Sequence, residues 1–173
     1  MTRTDRNGDD AETVALVTDL RAWFAANEPD VADSLRPGAT ATRIHAYEER
    51  FNLVFPPAPR ALFLTTDGQR SDPFPDPFVD NFTLIDLEAS LHTKDELDGM
   101  IGTDFEDPDH WRRDWVPFAE NGGGDYLAVD ATTGRVIWFW HDEPTNRAKA
   151  SDLNAWLRGV LVQARAGERE TEE

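Results

Sequence analysis

Hydrophobic residues in the first third of the chain recur with the period of an α-helix. After a capping sequence at Asp9–Glu12, a first apolar stripe keeps helical spacing and stops before Pro29. Thr40 can cap a second long helix, and Pro59 can open a short helix that ends near Leu64. The first stripe contains Val14, Val17, Leu20, Trp23 and Phe24, and the second contains Ile44, Tyr47 and Phe51. The pattern predicts a helical N-terminal part.

The second half of the chain changes to the period of a β-sheet. Tyr126–Val129 and Val136–Trp140 are apolar runs on either side of a turn at Asp130–Gly134, which predicts a β-hairpin. In the second run both alternating sets of side chains are apolar. We therefore expect this strand to be covered on both faces and to lie inside the sheet. A weaker alternation at Phe82–Leu87 predicts one more strand.

The remaining elements complete an α+β fold. Thr93 can cap a short helix that runs to Met100, and Ser151 or Asp152 can cap an amphipathic C-terminal helix. The apolar stripe of that last helix contains Leu153, Trp156, Leu157, Val160, Leu161 and Ala164. Because N-terminal and C-terminal helices flank a late sheet, we predict an antiparallel sheet with helices packed around it.

The length of 173 residues, without internal repeat or linker, favours a single domain. We expect it to span residues 9–166, between a polar, disordered N-terminal tail of residues 1–8 and a charged C-terminal tail of residues 167–173. The sequence has no cysteine, no basic-then-apolar leader and no apolar run of about 20 residues. We therefore expect a cytoplasmic protein without disulfides, thiolate chemistry or a membrane span.

The charge changes the range of possible partners. With 34 acidic and 17 basic residues the net charge is −17, which repels nucleic acid and anionic membranes and favours a basic partner. Between Asp67 and Asp109 there are 13 acidic residues against Arg70 and Lys94, a local net charge of −11. Solubility or the background of a salt-adapted proteome would explain the acidity equally well, and solvated loops often have this composition.

The proline-rich segment Ser71–Phe78 makes part of this acidity accessible. Prolines at alternate positions give extended backbone and cannot lie in a central strand. Phe74 and Phe78 can either pack onto the core or contact a partner. The acidic residues spaced along this segment and just beyond it are Asp72, Asp76 and Asp80. We expect these three carboxylates to be exposed and to contact a basic partner.

Candidate catalytic chemistry is sparse. Asp107, Asp109 and His110 combine oxygen and imidazole groups and could bind a divalent metal, although such a loop is more often only solvated. His141, Asp142 and Glu143 end a strand and could suggest acid–base chemistry. The three glycines at 122–124 are too few for a phosphate loop and predict a turn. We find no nucleophile–base pair and predict no catalysis, no metal and no cofactor.

Two of the six tryptophans stand out as candidate contact residues. Trp111 and Trp115 flank two arginines in or beside a charged loop, so we expect their rings to contact a partner. By contrast, Trp23 and Trp156 lie on apolar helix faces, and at least one tryptophan of the strand 136–140 should be in the core. Asp125, at the end of the glycine turn, can hydrogen-bond nearby turn amides.

The pattern Pro-Phe-Ala-x-x-Gly-Gly-Gly-Asp-x-Leu-x-Val-Asp starts at Pro117, and an apolar strand ending in His-Asp-Glu follows it. With the helix that bears Leu153, Trp156 and Leu157, this segment resembles the SUKH superfamily. The resemblance extends from Thr40 to Leu161. Its earlier part rests on Ile44, Glu48, Phe55-Pro56, Leu62–Leu64 and Asp67-Gly68. Phe55, Asp67 and the proline-rich segment depart from the pattern of the superfamily.

The resemblance implies a non-catalytic, partner-binding fold. In bacteria, members of this superfamily are commonly immunity proteins that block a toxin, and many such toxins are nucleases with a basic active site. An acidic inhibitor could occupy such a site and associate rapidly. The partner-binding residues that we predict are Asp72, Asp76, Asp80, Trp111, Trp115, Asp125, His141, Asp142 and Glu143.

Two alternatives remain open at this point. One is a regulatory scaffold like the yeast cell-wall-synthesis regulators of the superfamily. The other is a small metal-dependent hydrolase built on Asp107, Asp109, His110 and His141. The sequence leaves the identity of the partner and the oligomeric state undetermined.

Overall fold

A computed structural model describes residues 3–144 and 147–167, and side-chain positions from residue 10 onward apart from residue 147. In these ranges the chain forms six helices and five strands. The helices are α1 (Arg3–Asn27), α2 (Pro29–Ser34), α3 (Ala41–Phe51), α4 (Pro57–Thr65), α5 (Leu87–Gly99) and α6 (Leu153–Ala166). The strands are β1 (Thr83–Leu84), β2 (Trp115–Glu120), β3 (Tyr126–Asp130), β4 (Val136–Phe139) and β5 (Arg147–Ala150). Every strand pairing is antiparallel and the sheet order follows the chain order, so the α+β prediction is confirmed.

Polar side chains cap the N-termini of α3 and α6. The Thr40 hydroxyl accepts a hydrogen bond from the Arg43 amide at 3.2 Å, and the Asp152 carboxylate accepts one from the Ala155 amide at 2.7 Å. These two starts were predicted. The C-terminus of α6 is closed by Gly167, which has a φ of 71°.

Two local expectations, the start of α5 and the length of the strand before it, are wrong. Helix α1 begins at Arg3, inside the segment for which an N-terminal tail was predicted. Once the apolar stripe has nucleated a helix, each added residue costs little. Helix α5 begins at Leu87 and not after Thr93, because Asp86 caps it by accepting from the Ala89 amide at 2.7 Å. That earlier start shortens the strand predicted from Phe82 to Leu87. The end of the predicted C-terminal tail, residues 168–173, lies outside the described residues.

The buried Glu48 of α3 fixes the entry into α4. Its carboxylate accepts a hydrogen bond from the Phe55 amide at 2.8 Å and one from the Arg60 guanidinium at 3.0 Å. These bonds compensate for taking the charge out of water. This glutamate belongs to the motif that resembles the SUKH superfamily, and its role here is to position the chain at Phe55-Pro56.

The sheet has a hydrophobic core on each face. A large core lies between the sheet and helices that include α1 and α6, where Trp156 meets Phe118 at a ring distance of 5.2 Å. A small core lies on the opposite face, under α5 and residues 100–114, and contains Leu97, Phe105, Trp111, Trp115, Ala128, Ile137 and Phe139. Strand β4 contributes Val136 to the large core and Ile137 to the small one, and it lies between β3 and β5. The prediction of an internal strand covered on both faces is therefore confirmed.

None of the helices in the described ranges is long and apolar enough to cross a membrane.

Candidate functional site

The antiparallel topology brings three chain segments to one end of the sheet. Thr83 at the start of β1 pairs with Glu120 at the end of β2, and Glu120 pairs with Tyr126 at the start of β3. Tyr126 in turn pairs with Phe139 at the end of β4. We call this region the acidic end of the sheet; it comprises residues 80–82, 120–125 and 138–142. Three of the predicted site residues, Asp125, His141 and Asp142, meet here.

Asp125 organises the turn between β2 and β3. Its side chain is largely buried and accepts hydrogen bonds from the His141 amide at 3.1 Å and from the Asn121 side-chain amide at 3.0 Å. Asn121 closes the turn by accepting from the amides of Gly123 and Asp125. Gly124 has a φ of 94°, which an L-residue rarely adopts, so a glycine is needed where the turn passes beside the His141 ring.

His141 lies between two carboxylates. Its Nδ1 is 2.7 Å from Asp125 Oδ1, and its Nε2 is 3.1 Å from Asp142 Oδ1. The hydrogen bond with Asp125 raises the pKa of His141, and the charge of Asp142 adds to this effect. Burial alone would raise the pKa of Asp125, but the hydrogen bonds from His141 and Asn121 outweigh burial and lower it.

Both ring nitrogens of His141 contact a carboxylate. The Asp142 side chain is 73% exposed, whereas the Asp125 side chain is 10% exposed. The cluster therefore offers solvent one accessible carboxylate beside the imidazole.

Trp138 and Trp140 form an aromatic pair at the same end of the sheet. Their rings stack at 5.7 Å with an interplanar angle of 15°. Trp140 is 40% exposed, while Trp138 is half-buried and meets the edge of Phe82 at 6.5 Å. The sequence predicts that at least one tryptophan of this strand lies in the core, and Trp138 packs against the large core. The exposed ring of Trp140 was not among the predicted contact residues.

Trp111 and Trp115 are not exposed, so the expectation of two accessible rings is wrong. Trp111 is 1% exposed and Trp115 is 4% exposed. Their rings meet at 5.4 Å in an edge-to-face contact in the small core, and the Trp111 indole N–H donates to Asp98 at 2.8 Å. The burial arises because residues 100–114 fold back over the face of the sheet that carries Ile137 and Phe139.

The three residues considered for a metal have other partners. Asp107 accepts from the Asp109 amide at 2.8 Å, and Asp109 forms an ion pair with Arg112. The imidazole of His110 packs against Phe105 at 4.4 Å and reaches the carbonyl oxygen of Trp140 at 3.0 Å. In the part of the chain that the structure describes, no three histidine or carboxylate side chains are placed to hold a metal.

The acidic stretch from Asp67 to Asp109 divides into structural and exposed carboxylates. Asp67 accepts from the Leu87 amide at 2.7 Å and pairs with Arg43, and Asp98 pairs with the fully buried Lys94. These acids stabilise the fold. The density of acidic residues in the sequence does not distinguish them from solvated ones, although the spacing of four between Lys94 and Asp98 indicates a helical ion pair.

The carboxylates in and just after the proline-rich segment are exposed, as expected. Asp72, Asp76 and Asp80 are all exposed, and Asp80 accepts a hydrogen bond from Gln163 of α6 at 3.0 Å. Phe78 is buried against Trp156, whereas Phe74 is 70% exposed. This segment joins the acidic end of the sheet at Asp80. Glu143 is exposed beyond Asp142.

The chain matches the model of a known protein family. The model of the SMI1 / KNR4 family (SUKH-1) matches residues 38–159, which is more than half of the chain. No curated protein matches the chain at a significant level.

Proposed function

Since the chain belongs to the SMI1 / KNR4 family (SUKH-1), we propose that it is a non-catalytic immunity protein that binds and neutralises a basic toxin domain. The observation that carries this proposal is the acidic end of the sheet. The exposed ring of Trp140 lies at this end of the sheet, as do the exposed side chains of Asp142 and Asp80. Aromatic anchors supply much of the free energy of an interface, and the surrounding charge sets the association rate.

A nuclease toxin would complement this surface. A nuclease must hold a polyanion, so its active site carries positive charge. A chain with a net charge of −17 attracts such a protein over long distance and can cover its active site. Neutralisation by occupation needs no chemistry from the immunity protein, which agrees with the partnered nitrogens of His141.

The proposed interface has an anchor and a steering region. Trp140 takes the anchoring role that sequence analysis gave to Trp111 and Trp115, because its ring is accessible and theirs are not. Asp72 and Asp76 lie on the exposed proline-rich segment and provide charge that acts during approach. Asp80 connects the two regions through its contact with α6.

Partner capture is the first experiment. The wild-type chain is immobilised, and the product of the neighbouring gene and the host lysate are tested in parallel for binding partners. Capture of a basic toxin domain whose activity falls in a one-to-one mixture supports the proposal. Capture of a cell-wall or kinase partner, without any toxin, would instead support the regulatory-scaffold alternative.

Charge variants then test the electrostatic part of the mechanism. We combine Asp72→Lys and Asp76→Lys with Asp80→Asn, because Asp80 has a φ of 50° and asparagine tolerates that conformation. Association with the identified partner should slow, and its salt dependence should weaken, with unchanged folding.

The matched control changes the charge by the same amount elsewhere. It combines Asp19→Lys and Asp33→Lys on exposed helix positions with Glu49→Gln. If this control slows association as much as the first variant, the acidity acts only through net charge, and the proline-rich segment has no special part in steering.

A further inference from the structure

The Trp138–Trp140 pair has a second feature besides its exposure. The ammonium group of Lys149 lies 5.3 Å from the centre of the Trp138 ring. Lys149 reaches this position because the β4–β5 pairing shifts register, with Ala148 opposite Ile137 and Ala150 opposite Val136. Lys149 is therefore the extra residue of a β-bulge, a device that commonly redirects a side chain.

The contact shows which chemistry the aromatic pair accepts. The face of an indole ring attracts cations, and at an exposed site such a contact strengthens binding about two- to fivefold. Lys149 is exposed, so its ammonium group is in contact with solvent as well as with the ring. The free protein thus already places one cation of its own against the stack.

The accessible ring of the pair favours a planar cation. Trp140 stacks on Trp138 and keeps 40% of its surface exposed. Two residues further along the chain, Asp142 presents an exposed carboxylate 3.1 Å from His141 Nε2. A guanidinium group stacks on aromatic faces and pairs with a carboxylate through two parallel N–H donors, whereas an ammonium group acts as a point charge.

We propose that the Trp138–Trp140 pair and Asp142 form a binding site for an arginine side chain of a basic protein partner. The guanidinium stacks on Trp140 and donates to the Asp142 carboxylate. Lys149 lowers the affinity of the site for arginine, because a cation already beside the stack repels the incoming one. This inference rests on the proposed function in so far as the arginine belongs to the protein partner.

The test uses a short peptide with three arginines spaced by glycines, and a second peptide in which lysines replace the arginines. Binding is followed through the indole N–H signals of the tryptophans in a ¹⁵N-labelled wild-type chain. We expect the arginine peptide to shift the Trp140 signal selectively and to bind more tightly than the lysine peptide. Equal affinity of the two peptides, or equal shifts for all tryptophans, would overturn the site.

Variants separate the site from general attraction to an acidic protein. Trp140→Leu should weaken binding of the arginine peptide about two- to fivefold, Trp140→Phe should weaken it less, and Lys149→Met should strengthen it. Asp142→Asn should weaken binding more than Glu88→Gln, which removes the same charge from a similarly exposed side chain. Equal effects of the Asp142 and Glu88 variants would contradict the carboxylate's role.

The outcome also separates this inference from the proposed function. Selective arginine binding without any toxin partner would leave the site intact and reject the immunity role. A captured toxin whose affinity is unchanged by Trp140→Leu and by Asp142→Asn would support the immunity role and reject the arginine site. Circular dichroism of each variant verifies folding before binding is compared.

Discussion

Two tryptophan pairs of this protein lie next to the same sheet and have opposite surroundings. Trp111 and Trp115 meet edge to face in the small core and are almost fully buried. Trp138 and Trp140 stack in parallel at the acidic end of the sheet, and Trp140 remains accessible. The difference shows that a charged neighbourhood in the sequence does not make a tryptophan accessible. What matters is whether another segment folds over the ring.

A buried lysine holds the covering segment in place. Lys94 is fully buried, pairs with Asp98 at 3.2 Å and donates to the carbonyl oxygen of Arg113. Its burial lowers the pKa of Lys94, and the charge of Asp98 opposes that effect. Asp98 also accepts from the Trp111 indole, so one carboxylate ties α5 to the segment that covers the small core. Trp140, by contrast, remains 40% exposed.

Truncation of each pair should give the largest contrast. We expect Trp111→Ala to lower the free energy of unfolding by about 3–5 kcal/mol, because it leaves a cavity in the small core. Trp140→Ala should cost less than about 1 kcal/mol, since its ring is already partly solvated. Urea denaturation of the two variants measures both values. Similar losses for both would mean that the pairs do not differ as described.

Removal of the buried lysine charge should have the next largest effect. We expect Lys94→Met to cost about 3 kcal/mol in urea denaturation, because the buried Asp98 carboxylate loses its cation. Asp98→Asn in the same chain should recover part of this loss, since the amide oxygen can still accept from the Trp111 indole. If the double variant is no more stable than Lys94→Met alone, the unpaired charge is not the cause.

The sequence predicted the parts of this molecule whose signals are local. The Thr40 and Asp152 caps, the α6 stripe and the β3–β4 hairpin all depend on residues close together in the chain. The burial of Trp111 depends on residues 100–114 folding over Ile137 and Phe139, which no local period reveals. At the candidate site, Asp125 was predicted because it ends the glycine turn, and His141 and Asp142 were predicted because they end a strand. The exposure of Trp140 was not predicted, because Trp140 belongs to the apolar run 136–140 and an apolar run indicates burial.

A smaller effect is expected at the turn beside the exposed pair. Gly124→Ala places a side chain at a φ of 94°, and we expect a cost of about 1–2 kcal/mol in urea denaturation. Gly123→Ala is the matched control, because Gly123 is not in the left-handed region and its added methyl group would meet the Asn121 side chain only at an ordinary contact distance of 3.4 Å. A loss at Gly123 as large as that at Gly124 would show that the turn is sensitive to any added bulk.

The smallest effect concerns the pH dependence of the acidic end. The pKa of His141 is raised in the folded state, so its stabilising contribution is complete below the unfolded pKa of about 6.5 and is lost as pH rises through the folded value. The pKa of Asp125 is lowered, so its contribution is complete above its unfolded pKa and is lost as pH falls through the folded value. Both contributions are therefore present between these limits.

Asp125→Asn should lower the pKa of His141 more than Asp142→Asn does, because the bond to Asp125 is the main cause of the increase. An NMR titration of the His141 ring in the wild type and both variants measures this order, and a larger decrease in the Asp142 variant would assign the control of His141 to the exposed carboxylate.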